Sequence, residues 1–137
     1  MTIVDTGPLV ALLNRADPFH EWAVMQTKQL PGPLMTCEAV LTETFFLVAS
    51  SHRAVSRLFG LLESGVLEIE YPAMSEIREI RELMQKYRDL PMSFADACLV
   101  RMSEMAEEAP VFTLDGDFRV YRRRGESPLP VIMPDRL

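Results

Sequence analysis

The sequence predicts an α/β protein, a three-layer α/β/α sandwich around a mainly parallel sheet of about five strands. Three observations carry that prediction. Short apolar runs alternate with amphipathic segments along the whole chain, the pattern of repeated βα units. Glycine, proline and small polar residues punctuate the boundaries between them. Two apolar runs are closed by acids: Asp5 ends Thr2-Ile3-Val4, and Asp115 follows Val111-Phe112-Thr113-Leu114. Ligands of open α/β sheets bind outside the carboxyl ends of the strands, where such residues lie. No internal repeat, low-complexity tract or long linker divides the chain, so residues 1–137 read as one domain.

The first strand is expected at Ile3 to Asp5. Gly7-Pro8 then marks a helix start, because proline is tolerated at the first helical position, where its missing N–H would be unpaired anyway. Asp17-Pro18 repeats the signal for a second helix, from Pro18 to about Leu30, which stops before Pro31-Gly32-Pro33. Leu34-Met35 is a short strand, and a third helix is expected from Thr36, its side chain the N-cap, to Ser51. Arg53 to Ser64 forms a fourth helix, ended by Gly65. Val66 to Tyr71 alternates like a partly exposed strand. Ile77, Ile80, Met84 and Tyr87 form an apolar stripe among charges, which predicts a surface helix from about Ala73 to Asp89. Pro91 interrupts it, Ser93 caps the helix carrying Asp96, Val111 to Thr113 is a strand, and Leu129 to Met133 is the last.

Composition narrows the function. Of the 137 residues, 48% are hydrophobic, enough for folding to bury roughly two-thirds of the unfolded surface. No apolar run nears the ~20 residues that span a bilayer, and no basic stretch followed by a long apolar run opens the chain. No membrane association and a cytoplasmic location are expected. Cys37 and Cys98 lack ligand spacing and lie beside apolar helical patterns, so they are expected as buried, reduced thiols. His20 and His52 are read as structural or surface residues. The net charge of −6 argues on average against a partner made of phosphates. That average does not describe a site: carboxylates that bind divalent cations count as negative only while empty. Arg119, Arg122, Arg123 and Arg124 concentrate positive charge after Asp115 and Asp117, either as a solvated loop or as a patch contacting RNA phosphates.

The acids are hard to explain by folding alone. Glu43 lies four residues after Ala39, three after Val40, three before Phe46 and four before Leu47, so on a helix it falls within the apolar face. A carboxylate buried there needs a cation, whether an Arg, a Lys or a metal; the bland alternative is a Glu at the margin of the stripe. Asp96 fits a capping box with Ser93, yet it also precedes Leu99 and Val100 by helical steps and follows Met92 by one, so the same carboxylate faces the apolar side. Asp115 and Asp117 around Gly116 have the composition of a turn.

Taken together, Asp5-Thr6-Gly7 after an apolar start, Glu43 in CEAVLTETFFLV, Asp96 in SFADACLV, and TLDGDF at Thr113 to Phe118 resemble, in order, the four acidic motifs of PIN-domain ribonucleases. The resemblance covers nearly the whole chain, and LLNRADPFHEWA also looks like the stand-alone, toxin-like PIN proteins of toxin–antitoxin systems, the VapC type. It implies a divalent-metal-dependent endoribonuclease, in which Asp5, Glu43, Asp96, Asp115 and Asp117 are the catalytic, metal-binding acids. Asp115 and Asp117 together cover the fourth motif. Thr6 and Thr113 are expected to orient carboxylates or a bound water. Oxygen ligands without His or thiolate favour Mg²⁺ or Mn²⁺ over zinc. By analogy with two-metal nucleases, metal-activated water would attack in line and leave a 5′-phosphate and a 3′-hydroxyl. An RNA substrate, a cognate antitoxin and a homodimer are implied partners; the RNA is left open among transfer, ribosomal and messenger species.

Two other classes are compatible with parts of this pattern. A non-catalytic module on this fold would use the acidic pocket to bind a basic segment of a partner. A doubly wound phosphohydrolase using Asp5 as nucleophile would need a second acid beside it, which Thr2-Ile3-Val4 and Gly7 do not provide.

Overall fold

Five short parallel strands form the central sheet of the computed structural model, which describes residues 1–106 and 108–136. Glu107 and Leu137, inside the expected 1–137 domain, lie outside the described residues. The elements run β1 (Thr2–Val4), α1 (Thr6–Leu13), α2 (His20–Gln29), β2 (Leu34–Thr36), α3 (Glu38–Leu47), α4 (His52–Glu63), β3 (Leu67–Ile69), α5 (Ile77–Lys86), α6 (Phe94–Met105) and β4 (Val111–Phe112). A small antiparallel pair, β5 (Arg122–Arg123) and β6 (Ser127–Pro128), precedes the last sheet strand, β7 (Val131–Ile132).

Strand order is β3-β2-β1-β4-β7. From β1 the chain moves outward through β2 to β3, then returns past β1 to β4. Parallel crossovers are right-handed, so α1 to α4 cover one face and α5 and α6 the other. The expected α/β/α layering and parallel sheet are therefore observed. The reversal falls between β1 and β4, whose register pairs Ile3 with Val111 and Val4 with Phe112. A crevice opens at such a switch point, and Asp5 and Thr113 are the next residues along.

The core explains why the strands carry no alternation. Ile3, Val4, Val111 and Phe112 are fully buried, as expected of strands covered on both faces. Leu9, Val40, Leu58, Ile80 and Leu99 bring one helix after another onto the sheet. Gly7 lets α1 start tight against the β4 loop: a Cβ there would lie 3.1 Å from Leu114 Cβ. Cys37 and Cys98 are buried free thiols, as expected. His20 is structural, its Nδ1 2.6 Å from the Ala11 carbonyl, and His52 is exposed at the first turn of α4.

Several boundaries differ from expectation. Thr36 is not the cap of α3: it is the last residue of β2, and its hydroxyl donates to the Val4 carbonyl at 2.7 Å. Cys37 takes the N-cap position without a side-chain hydrogen bond. The third helix ends at Leu47 rather than Ser51, because Ser51 caps α4 by accepting the Ala54 amide. The second starts at His20 rather than Pro18, since Asp17 first closes a turn by accepting the Phe19 amide. The segment from Ala73 opens as a 3₁₀ turn, with α5 proper beginning at Ile77.

Candidate active site

Asp5 occupies the N-cap of α1 at the carboxyl end of β1. It is 8% exposed, yet its carboxylate is well held. The Thr6 amide donates to Oδ1 at 2.8 Å and the Thr113 hydroxyl donates to Oδ2 at 2.8 Å. Thr113 in turn accepts the Asp115 amide at 3.0 Å, so one threonine ties the first and fourth acidic motifs together. The Asp5 backbone continues the sheet by donating its amide to the Phe112 carbonyl. Burial pushes the Asp5 carboxyl up to about 6, against the opposing pull of the Thr113 and Thr6 hydrogen bonds; the charges of Asp96 and Asp115 push the same way as burial.

Asp96 sits in the first turn of α6, where the Ser93 hydroxyl accepts its amide at 3.0 Å. Its Oδ2 accepts the Tyr121 hydroxyl at 2.8 Å. Partial burial raises its pKa, hydrogen bonds from Tyr121 and Ser93 lower it, and Asp115 raises it again. Tyr121 itself is pushed far up by burial and by Asp96, so it stays a protonated donor. Asp115 caps the 3₁₀ turn Gly116–Arg119 by accepting the Asp117 amide at 2.9 Å.

These side chains share one cleft of about 500 Å³, lined by all five predicted acids, Asp5, Glu43, Asp96, Asp115 and Asp117, and by Thr6. The acids are not equivalent. The charges of Asp96 and Asp115 both push the Asp5 carboxyl up, and Asp115 does the same to Asp96. Glu43 lines the same cleft from α3, but the expectation of a buried carboxylate is wrong: Glu43 is exposed. Its apolar neighbours Phe46 and Leu47 are 78% and 53% exposed, so that stripe of α3 faces outward.

The arginine run does not reach the cleft, since none of Arg119, Arg122, Arg123 and Arg124 lines it. Arg122 Nη1 donates to the carbonyls of Arg119, Val120 and Tyr121, Arg123 to that of Ser103, Arg124 to that of Glu104, and Arg119 to that of Pro134. Arg123 and Arg124 thereby hold the segment after β4 against α6. Two residues, one lining the cleft and one behind it, escaped the sequence reading. Asp17 lines the cleft, though its Asp-Pro context signals only a helix start. Tyr121, hidden among arginines, holds Asp96 across 25 residues of sequence.

Among the described residues, no three His, Cys, Asp or Glu side chains converge closely enough to grip a metal ion as they stand. The donor set nevertheless fits a hard cation: oxygen donors only, with Asp5 and Asp96 raised in pKa by burial, and the buried Thr6 hydroxyl without a hydrogen-bond partner. Among the described residues no helix is long and apolar enough to cross a membrane.

A parallel sheet whose switch point carries acids from four separate segments has the architecture of the PIN fold. The chain superimposes on the crystal structure of Mycobacterium tuberculosis VapC20, described as a sarcin–ricin loop cleaving toxin, with a TM-score of 0.76 and 27% identity over 88% of this chain and 94% of that one. In sequence it is 28% identical over 120 residues to the 23S rRNA-specific endonuclease VapC20, spanning 86% of this chain and 92% of the relative. It is 27% identical over 115 residues to ribonuclease VapC26 of the same species, spanning 82% of this chain and 85% of that protein. No protein-family model matches the chain. More narrowly, then, the chain is similar in both sequence and fold to VapC-type PIN-domain ribonucleases.

Proposed function

We propose that this protein is a divalent-cation-dependent endoribonuclease, the toxin of a toxin–antitoxin pair, with the acidic cleft as its catalytic centre. The observation that carries the reading is that Asp5, Glu43, Asp96, Asp115 and Asp117, from separate segments of the chain, line one cleft at the β1/β4 switch point. The VapC relatives, themselves named as ribonucleases, support it. Asp5, Asp96 and Asp115 would hold Mg²⁺ or Mn²⁺, with Asp115 rather than Asp117 as the fourth-motif ligand. Glu43, Asp17 and Asp117 stand around them.

A hard cation there supplies charge neutralisation at the phosphate and lowers the proton affinity of water. The chain's own part is positioning. Thr6 and Thr113 fix both Asp5 oxygens from the backbone side, and Tyr121 fixes one oxygen of Asp96. The Thr6 hydroxyl, without an internal partner, is placed to orient a water or a phosphate oxygen. An antitoxin that inserts a basic segment among the acids would block the same cleft, and a homodimer would fit the exposed apolar surface around Phe46.

Incubation of the protein with RNA in Mn²⁺ tests the reading. Asp5→Asn and Asp96→Asn chains are expected to remain folded by circular dichroism and to lose cleavage. Turnover equal to the wild type in either would sink the assignment. The open spacing of the acids also favours a second reading, a non-catalytic module whose pocket takes a guanidinium or ammonium from a partner. Wild-type protein that binds a basic peptide but cleaves no RNA with Mn²⁺ would establish that reading instead.

A further inference from the structure

Beside the acidic cleft lies a second cavity of about 320 Å³, bounded by the end of α1, the turn after α3 and the first turns of α4. Val10 and Leu47 line both, so the two hollows share a wall. Their charges are opposite. Arg15, Arg53 and Arg57 line the second cavity, and no Asp or Glu does. All three arginines are exposed, and none has an ion pair among the described residues, where both ion pairs belong to Arg101.

In a chain of net charge −6, three guanidiniums left without counter-charges around one hollow have no role in holding the fold. They contrast with Arg122, whose guanidinium is spent on main-chain carbonyls. A guanidinium matches a phosphate with a planar pair of donors. Between the arginines, Leu13, Leu47 and Val48 offer apolar surface. That mixture of cationic rim and apolar floor suits a single-stranded nucleic acid, whose phosphates need charge and whose bases need a dry contact.

We infer that the Arg15–Arg53–Arg57 cavity is the strand-binding subsite for RNA, holding backbone phosphates next to the linkage that enters the acidic cleft. The inference rests on the endoribonuclease reading and adds to it the surface along which the substrate lies. A strand with one phosphate at Asp5 and Asp96 must lay its neighbours on adjoining surface, and beyond Val10 and Leu47 that surface is the arginine wall. Phosphate contacts of this kind position the strand without reading its sequence.

The test is steady-state cleavage of a synthetic RNA carrying the sarcin–ricin loop by the full chain in Mn²⁺, over a series of salt concentrations. Arg53→Gln/Arg57→Gln is compared with Arg78→Gln/Arg81→Gln, which removes the same charge from exposed positions on α5, in the opposite layer. The first variant is expected to raise KM roughly tenfold with kcat kept. Its plot of log kcat/KM against log salt should be shallower by about 1.4, the loss of two phosphate contacts to a single strand. The α5 variant should match the wild type. If wild type cleaves and both variants share its KM and salt slope, the inference is overturned while the nuclease reading stands. If wild type cleaves neither this RNA nor total cellular RNA, the nuclease reading fails and the inference falls with it.

Discussion

Replacing Asp5 by Asn should stabilise the metal-free protein at pH 8 and not at pH 4.5. Burial pushes the Asp5 carboxyl up to about 6 in the folded chain, against 3.8 without that environment. A folded-state pKa above the unfolded value means that the folded chain holds the proton more tightly. The stabilising contribution is complete below about pH 4 and is lost as pH rises through 6. At about 1.4 kcal/mol per pH unit, the ionised carboxylate costs the fold about 3 kcal/mol at pH 8.

Asparagine removes that cost but disturbs a hydrogen bond. The Thr113 hydroxyl donates to Asp5 Oδ2, and its oxygen already accepts the Asp115 amide. The new amide group must compete for that oxygen, at about 1 kcal/mol. A net gain of about 2 kcal/mol remains at pH 8, a rise in Tm on the order of 8 °C for a domain of this size. At pH 4.5, just above the ordinary carboxylate range, the ionisation cost is only about 1 kcal/mol; it offsets the hydrogen-bond loss, and the variant should melt close to the wild type. Thermal unfolding in EDTA at the two pH values measures both. A Tm lowered equally at pH 8 and pH 4.5 would refute the claim that Asp5 is a strained, desolvated charge awaiting a cation.

Two further outcomes follow from the geometry around that acid. Tyr121→Phe removes the hydroxyl that donates to Asp96 at 2.8 Å; Mn²⁺ affinity measured by calorimetry should fall roughly tenfold, and an unchanged affinity would show that Tyr121 does not position Asp96. Gly7→Ala places a Cβ 3.1 Å from Leu114 Cβ, which the β4 loop absorbs only by moving, at a cost of about 1–3 kcal/mol; a Tm equal to the wild type would mean that the loop yields freely.

The sheet and its switch point were legible because they rest on short-range chemistry. Apolar triplets such as Thr2-Ile3-Val4 can be buried on both faces, and an Asp directly after one must emerge at the strand end. Ser93 likewise declares its helix, since a cap acts within three residues. Glu43 was misjudged because helical spacing identifies an apolar stripe without saying whether anything covers it. Val40 of that stripe is buried, while Phe46, two turns on, is not. Thr36 has the right chemistry for a cap, but the Val4 carbonyl, 32 residues away, claims its hydroxyl. The same limit hid Tyr121, whose partner Asp96 is remote in sequence, and left the arginine run ambiguous. Only the fold reveals that Arg122 is satisfied by carbonyls of its own turn, whereas Arg15, Arg53 and Arg57, scattered over two helices' edges, meet at one hollow.

Calorimetric titration with Mn²⁺ separates a cation site from a merely acidic surface, and it requires no knowledge of the RNA. Wild-type protein should bind, and folded Asp5→Asn and Asp96→Asn chains should each lose that binding, because the two acids, from opposite ends of the sequence, contribute to one site. No wild-type binding at millimolar Mn²⁺, or binding that survives in both variants, would contradict a metal-dependent centre at the β1/β4 switch point.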